Sequence, residues 1–217
     1  MAENEKIILS NVNEVYTFIS CCDPYKIRKA TLHGCLDGDR EVYVVALRGT
    51  NQSFDKNDPL SIPVCFQSFA SKDTIYTELV KNDILKTVPA GSNLVFVGHS
   101  LGGMTCEIMG ADEELRAKYH ILSVLTMGSP YVVGKGKKCP LHRMADKIDI
   151  IPALFSLALV FNSFMGSVTL EFGHKWNIPI GPHCDSYMYA DCWKKYDVFG
   201  VENGGRTLEI APEEEKR

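Results

Sequence analysis

The chain has 217 residues, of which 45% are hydrophobic, and this suits one domain with a sizeable buried core. The net charge is −4 and no strongly basic block occurs, which argues against nucleic acid as the main partner. The N-terminus is polar, and the apolar run at residues 7–9 is too short for the core of a signal peptide. We therefore expect a cytoplasmic protein without a transmembrane span.

The eight cysteines bear on redox state and on metal binding. Without a signal peptide, eight cysteines in a domain of this size indicate reduced thiols in the cytosol. None of their spacings forms a Cys-x-x-Cys pair, so a zinc site is poorly supported. Convergence of His183, Cys184 and Cys192 on a metal is the weaker interpretation, and we expect neither a metal nor another cofactor.

Hydrophobic spacing and turn residues predict the elements along the chain. In order, they are a helix capped by Asn11, strands at 28–36 and 41–48 joined by a hairpin turn at 37–40, a loop at 51–63, a helix capped by Asp73, strands at 94–97 and 121–127 with a helix between them, and strands at 141–147 and 170–176. Strands that alternate with helices after residue 70 indicate a mostly parallel sheet covered on both faces. The leading hairpin adds an antiparallel edge.

These elements are expected to form a single domain over residues 1–203. Residues 204–217 begin with two glycines and are largely polar, so we expect a flexible C-terminal tail. Residues 153–168 are the most apolar stretch, and they are too short and too polar in their second half to predict a membrane span. They are interpreted either as a buried helix and turn of the core or as a lid or acyl-chain wall.

The most informative motif is Gly98-His99-Ser100-Leu101-Gly102. It follows an apolar strand and precedes a segment with helical spacing, which is the context of a nucleophile elbow. The turn is so tight that side chains in place of Gly98 and Gly102 would clash. Ser100 is therefore predicted to project its hydroxyl at the carboxyl end of a strand, with a helix N-terminus behind it that favours negative charge.

A serine hydroxyl is a weak nucleophile at neutral pH and needs a histidine base that a carboxylate orients. In the α/β-hydrolase fold the acid and then the histidine follow the serine along the chain. The acid candidates are Asp146 and Asp149, which lie at the end of the strand predicted at 141–147. Asp149 is preferred because Pro152 forces the chain off the strand line, and Asp146 is interpreted as a surface or strand-end carboxylate.

The histidines after the elbow are His120, His142, His174 and His183. The first two precede the acid and fail the chain order. His174 lies within the strand predicted at 170–176 and is interpreted as a strand or supporting residue. His183 lies in a loop beyond that strand, where it can reach Ser100, and it is the preferred base.

The oxyanion that forms when Ser100 attacks a carbonyl needs about two backbone N–H donors. One comes from Leu101, the residue after the nucleophile. The second is expected from a loop after an earlier strand, and Arg48-Gly49-Thr50 supplies a strand end with a glycine turn. The N–H of Thr50 is therefore the predicted second donor, and its hydroxyl could add a contact.

Taken together, four blocks resemble the class 3 lipase family, the α/β-hydrolases that include the fungal triacylglycerol lipases. They are residues 45–50 for the oxyanion strand and turn, 97–103 for the elbow, 126–130 for the next strand end, and 142–152 for the acid strand. Residues 172–174 and His183 with Tyr187 fit more loosely. The resemblance implies an α/β-hydrolase fold, a triad of Ser100, Asp149 and His183, and an oxyanion hole at Thr50 and Leu101.

The implied activity is hydrolysis of lipid or other acyl esters through an acyl-enzyme on Ser100. Phospholipase A1, thioesterase or acyltransferase chemistry would use the same residues, and a non-catalytic hydrolase-like binding module is the alternative from a different class. The expected partners are an ester or lipid substrate and a membrane or lipid surface that is contacted transiently. Nucleic acid is not expected, and no cofactor is implied.

Overall fold

The computed structural model describes residues 6–51, 53–70, 73–130, 132, 139–154, 167–173 and 181–212. The elements in chain order are β1 Ile7–Leu9, α1 Val12–Ser20, β2 Tyr25–His33, β3 Arg40–Leu47, α2 Ile62–Phe69, α3 Ile75–Thr87, β4 Asn93–His99, α4 Leu101–Ala111, α5 Glu113–Lys118, β5 His120–Met127, β6 Leu141–Asp146, α6 Ile150–Leu154, β7 Ser167–Glu171, α7 Gly181–Tyr189, a 3₁₀ helix at Asp191–Lys195, and β8 Thr207–Ile210.

The strands within the described ranges form an eight-stranded sheet in the order β1-β8-β2-β3-β4-β5-β6-β7. The five strands from β3 to β7 are parallel to one another. The N-terminal hairpin pairs β2 antiparallel to β3, and β8 and β1 continue the antiparallel side. The predicted mostly parallel sheet with an antiparallel N-terminal hairpin is therefore confirmed.

Helices cover both faces of this sheet, because parallel strands joined by crossovers leave two apolar faces to bury. On one face α1, α7 and the 3₁₀ helix bury Val15, Tyr187 and Trp193 completely. On the other face α3 and α4 bury Val80 and Met104. The architecture is that of the α/β-hydrolase fold, as predicted.

The parallel strands bring their carboxyl ends to one edge of the sheet. There β3 ends at Leu47, β4 at His99, β5 at Met127 and β6 at Asp146. The register pairs Leu47 with Gly98 and His99 with Met127. The loops that follow these four strands therefore meet at this edge, which is where open α/β sheets hold their ligands.

The cap of α1 was predicted and that of α3 lies one residue away from the prediction. Asn11 caps α1, and its side-chain oxygen accepts the Glu14 N–H at 3.1 Å. The helix predicted to start at Asp73 is capped by Thr74 instead. The Thr74 hydroxyl accepts the Thr77 N–H, and the Thr77 hydroxyl accepts the Thr74 N–H, so the two residues satisfy each other.

The loop predicted at 51–63 is shorter than expected, because α2 begins at Ile62. Pro63 stands in the first turn of this helix, where the missing N–H of a proline has no helical partner to lose. The remaining loop closes on itself through the Asn51 N–H, which donates to the Leu60 carbonyl at 2.8 Å.

The prediction of a flexible tail after residue 203 is wrong for the stretch that forms β8. This strand lies between β1 and β2, with Leu208 opposite Leu32 and Ile210 opposite Ile7. Leu208 and Ile210 are fully buried and alternate with more exposed neighbours, as expected for a strand. A segment whose composition is largely polar therefore adds a strand to the sheet. Residues 213–217 lie outside the described part of the chain.

The last strand before α7 is displaced from its predicted position. It was predicted at 170–176, and β7 spans Ser167–Glu171, while 174–176 lie outside the described residues. Residues 155–166, which make up most of the apolar stretch at 153–168, also lie outside them. Among the helices that the structure describes, none has both the length and the apolarity that crossing a membrane requires.

Candidate active site

Ser100 occupies the sharp turn between β4 and α4, in the backbone conformation that a nucleophile elbow requires. Its φ is 52° and its ψ is −120°, a strained region for a residue with a side chain. The Ser100 N–H donates to the Met127 carbonyl at 3.0 Å, which ties the turn to the end of β5. The side chain is 6% exposed and lies at the carboxyl edge of the sheet.

Two glycines permit the turn, as the sequence predicts. A Cβ atom on Gly98 would lie 2.5 Å from the Gly102 carbonyl oxygen, and one on Gly102 would overlap the Leu47 carbonyl oxygen. Side chains at these positions are therefore excluded by backbone atoms that cannot move aside. The second contact also packs the first turn of α4 against the end of β3, which leads into Thr50.

Asp149 and His183 form a buried pair. His183 Nδ1 lies 2.9 Å from Oδ2 and 3.1 Å from Oδ1 of Asp149. Asp149 is 2% exposed, and its loop is held by its own N–H, which donates to the Asp146 carbonyl at 3.0 Å. The carboxylate can only accept, so Nδ1 carries the proton and Nε2 is left to act as a base.

His183 belongs to the first turn of α7 and not to a loop, which corrects the sequence prediction. The helix spans Gly181–Tyr189, and Pro182 occupies a first-turn position that needs no N–H partner. Glycine followed by proline favours a loop when only the local sequence is considered. A helical position fixes the imidazole more firmly than a mobile loop would.

Gly128 is where the serine turn meets the Asp149–His183 pair. It follows Met127, the residue that accepts the Ser100 N–H, and it has a φ of 57°. A Cβ atom on Gly128 would lie 2.9 Å from Asp149 Oδ2 and 3.1 Å from His183 Nδ1. The end of β5 therefore contacts both the Ser100 turn, through Met127, and the Asp149–His183 pair, through Gly128. The hydrogen bonds among described residues do not include one from the Ser100 hydroxyl to His183.

His99 holds the N-terminal part of α7 from the side of the elbow. Its Nε2 lies 2.8 Å from the His183 carbonyl oxygen, and the two imidazole rings are 4.5 Å apart. Burial, followed by the proximity of His183, lowers the pKa of His99 to about 3. His99 is therefore neutral, and its Nε2 must carry the proton that the carbonyl accepts.

Tyr187 contacts the candidate acid, although sequence reasoning gave it only a loose fit to the family. Its hydroxyl donates to Asp149 Oδ2 at 3.0 Å and accepts the Asp146 N–H at 3.0 Å. Burial, with a contribution from Asp149, raises the pKa of Tyr187 well above its usual value, so the phenol keeps its proton. Tyr187 follows His183 by four residues, and on a helix this spacing places the two side chains on the same face. This spacing is the sequence signal that could have identified Tyr187.

Asp146, the alternative acid, is a strand-end carboxylate as predicted, but it is buried and not on the surface. It is the last residue of β6 and is 2% exposed. Its carboxylate accepts hydrogen bonds from the Ile148 N–H, the Gly173 N–H and the Ser186 hydroxyl. His174, the alternative base, lies outside the described residues.

The two predicted oxyanion donors are both unengaged by the protein in the parts that the structure describes. Neither the Thr50 N–H nor the Leu101 N–H donates to another described residue. Leu101 is the first residue of α4, where helical N–H groups have no partner within the helix and face a favourable dipole. The Thr50 Oγ1 atom is also buried and bonds to no nitrogen or oxygen atom of these residues. It faces the Cys65 thiol, whose pKa is raised by burial and lowered to a smaller extent by this hydroxyl.

The cysteine thiols and the remaining acidic and imidazole groups show no metal-binding arrangement within the described ranges. All eight cysteines are free thiols. No three His, Cys, Asp or Glu side chains in these ranges lie where they could hold one ion, including His183, Cys184 and Cys192.

Two solved lipase structures from Yarrowia lipolytica align with part of the chain. The nonglycosylated LIP2 lipase aligns with a TM-score of 0.31 and 18% identity, over 53% of this chain and 55% of that one. The crystal structure of Lip2 lipase aligns with a TM-score of 0.39 and 16% identity, over 70% of this chain and 75% of that one. No protein-family model and no curated protein matches the sequence. The fold assignment therefore rests on the sheet order and the elbow geometry.

Proposed function

We propose that this protein is a serine carboxylic-ester hydrolase of the class 3 lipase type, which acts on lipid or other acyl esters. Ser100 is the nucleophile, His183 the general base, and Asp149 the group that orients the imidazole. One observation carries the proposal. A serine in a strained strand-to-helix turn lies at the same sheet edge as a buried imidazole–carboxylate pair.

The reaction follows from these roles. His183 Nε2 takes the Ser100 proton as Oγ attacks the acyl carbonyl, and it then gives this proton to the leaving alcohol as the ester C–O bond breaks. His183 next deprotonates a water molecule, which attacks the acyl carbon of the acyl-enzyme. As the bond from this carbon to Ser100 Oγ breaks, His183 returns the proton to Oγ, and the carboxylic acid is released. Asp149 holds the imidazole in place and stabilises the imidazolium that forms.

The tetrahedral oxyanion is bound by the N–H groups of Thr50 and Leu101. Both N–H groups lack protein acceptors among the described residues. A buried polar group without a partner is costly to keep, so a donor set of this kind is explained by a ligand oxygen that it serves. Such preorganised donors supply a large part of the rate in acyl transfer.

The test is hydrolysis of p-nitrophenyl esters with acyl chains from acetate to palmitate, by the wild type and by Ser100→Ala. Ser123→Ala is the matched control, because Ser123 is a buried serine on β5 that lies away from the carboxyl edge. We expect turnover to disappear in Ser100→Ala and to persist in Ser123→Ala. Labelling by a fluorophosphonate probe should show the same pattern, because the probe reacts only with an activated serine.

The chain-length profile distinguishes an esterase from a lipase, and thioester and acceptor-alcohol substrates distinguish thioesterase and acyltransferase activity. A well-folded wild type that neither turns over these esters nor reacts with the probe would refute the proposal. That result would favour the non-catalytic binding module.

A further inference from the structure

Asp146 is a buried carboxylate beside the candidate active site that the proposed reaction does not use. Its Oδ1 accepts the Ile148 N–H at 3.0 Å. Its Oδ2 accepts the Gly173 N–H at 3.0 Å and the Ser186 hydroxyl at 2.5 Å. Burying a charge is costly unless donors compensate it, and these three donors provide that compensation.

Two of the three donors come from the segments that carry the candidate acid and the candidate base. Ile148 immediately precedes Asp149 in the loop after β6. Ser186 lies three residues after His183 on α7. Asp146 therefore links the loop that presents the acid to the helix that presents the base.

A second set of contacts strengthens this link. The Asp146 N–H donates to the Tyr187 hydroxyl, which itself donates to Asp149 Oδ2. Trp193 donates its Nε1–H to the Ser186 hydroxyl at 3.2 Å, and its ring stacks on Tyr187 with centroids 5.4 Å apart. The turn of α7 at 186–187 is thus held by Asp146 on one side and by Trp193 on the other.

We propose that Asp146 is a positioning residue, whose carboxylate holds the Asp149 loop and α7 at the spacing where His183 Nδ1 meets Asp149. The inference rests on the proposed function, because it assigns Asp146 a role in the same site. Reacting groups must be held to within roughly 0.5 Å of their productive arrangement. The Asp146 carboxylate can do this because both of its oxygens accept hydrogen bonds, one from the Asp149 loop and one from α7. An asparagine at this position would replace one of these oxygens with an NH₂ group, which would face a donor of the loop or of α7.

The experiment compares Asp146→Asn with the wild type in hydrolysis of p-nitrophenyl butyrate. We expect kcat to fall by roughly 10- to 100-fold, as a displacement of reacting groups by about 1 Å would produce. KM should stay within about twofold, because Asp146 does not contact the substrate in this proposal. Ser186→Ala removes the contact of Asp146 to α7 and also the acceptor of the Trp193 Nε1–H. It should show a smaller loss of kcat, and it tests the proposal if Asp146→Asn does not fold.

Proton NMR gives a readout that does not depend on turnover. In the wild type, the Nδ1 proton of His183 should give a downfield resonance because it is hydrogen-bonded to a buried carboxylate. We expect this resonance to shift or broaden in Asp146→Asn and in Ser186→Ala, since both variants loosen the pair. Loss of positioning is then visible even in a protein that turns over no ester.

The matched control is Asp197→Asn. Asp197 is also 2% exposed and accepts hydrogen bonds from the Phe199 N–H, the Val201 N–H and Arg206 Nε. This variant should lose stability while keeping the wild-type kcat and the His183 resonance.

The inference would be overturned if Asp146→Asn left both kcat and the His183 resonance unchanged. It would also be overturned if Asp197→Asn lowered kcat as much as Asp146→Asn does, with the same fraction of each variant folded. The proposed function fails separately, through turnover that survives in Ser100→Ala. The two proposals can therefore be refuted independently.

Discussion

The Tyr187 hydroxyl and the His183 imidazole donate to the same carboxylate oxygen, Oδ2 of Asp149, at 3.0 Å and 2.9 Å. Both donors lie on α7, one turn apart. Since Asp149 is buried and cannot rely on water, its carboxyl oxygens need protein donors. One helix therefore both presents the candidate base and stabilises the charge that orients it.

Removal of the phenol hydroxyl tests this relationship. We expect Tyr187→Phe to lower kcat by roughly 10-fold or more with little change in KM, because a hydrogen bond to a charged group contributes about 1.5–3 kcal/mol. Steady-state kinetics on a p-nitrophenyl ester measures the effect. Tyr119→Phe is the control, since the Tyr119 hydroxyl donates only to the carbonyls of Ile84 and Val88. Equal losses of kcat in the two variants would contradict a specific role for Tyr187.

Thr50→Val separates the hydroxyl of Thr50 from its backbone N–H. The buried hydroxyl bonds to no nitrogen or oxygen atom of the described residues and faces only the weakly bonding Cys65 thiol there. Its removal should therefore leave the free energy of unfolding unchanged or raise it. If the hydroxyl binds the oxyanion, kcat should fall by about 100-fold, as loss of one oxyanion donor does elsewhere. Urea unfolding and kinetics on the same preparation give both values. A stable Thr50→Val variant with full activity would show that the hydroxyl does not bind the oxyanion and that Thr50 can contribute only its backbone N–H.

His99→Phe tests the contact between the elbow and α7. The variant leaves the His183 carbonyl without its donor, so at pH 7.5 the free energy of unfolding should fall by about 1–3 kcal/mol. Because the pKa of His99 is lowered to about 3, the unfolded state binds more protons than the folded state between pH 3 and 6.5. Wild-type stability conferred by the neutral imidazole is therefore present above pH 6.5 and is lost as the pH falls.

We expect the stability of His99→Phe to depend less steeply on pH in this window. Urea unfolding over a pH series measures the slope. His120→Phe, at an exposed position, is the control and should keep the wild-type slope. Identical slopes in wild type and His99→Phe would show that His99 is not buried in its neutral form.

Glu107→Gln tests a buried carboxyl group in the elbow helix. Burial raises the pKa of Glu107 to about 7, although Arg143, 3.7 Å away, opposes the shift. At this group the folded state therefore binds more protons than the unfolded state between pH 4.5 and 7, and the contribution of Glu107 to stability should decrease by about 3 kcal/mol as the pH rises through this window. Glu107→Gln cannot titrate and should flatten this part of the curve. Glu78→Gln, at an exposed position of α3, should leave it unchanged.

The elements that the sequence predicts well are those whose signals are local. Asn11 caps α1 because its side chain reaches an N–H three residues away, and the elbow is recognisable because Gly98 and Gly102 flank Ser100 in one turn. In contrast, β8 was taken for a tail. Its partners in the sheet are Ile7 and Leu32, far away along the chain, and no local pattern reports such pairing.

The candidate site divides in the same way. Chain order left two acids and two histidines. Pro152 and the position beyond the predicted strand then favoured Asp149 and His183, which the structure brings together as a hydrogen-bonded pair. The residues that hold this pair were not selected. Asp146 was interpreted as an ordinary strand-end carboxylate, because the sequence does not show that Ser186 and Gly173 fold onto it.

The sequence by itself determined the fold class, the elbow and the three residues of the proposed triad, since these depend on periodicity, on glycine at tight turns and on chain order. Only the tertiary structure decided that His183 lies on a helix and that β8 completes the antiparallel side of the sheet. It also decided that Tyr187 donates to Asp149 and that Asp146 accepts hydrogen bonds from Ile148 and Ser186. The physical reason is burial. Whether a polar side chain is removed from water, and which donors then compensate it, depends on segments that are distant in sequence and adjacent only after folding.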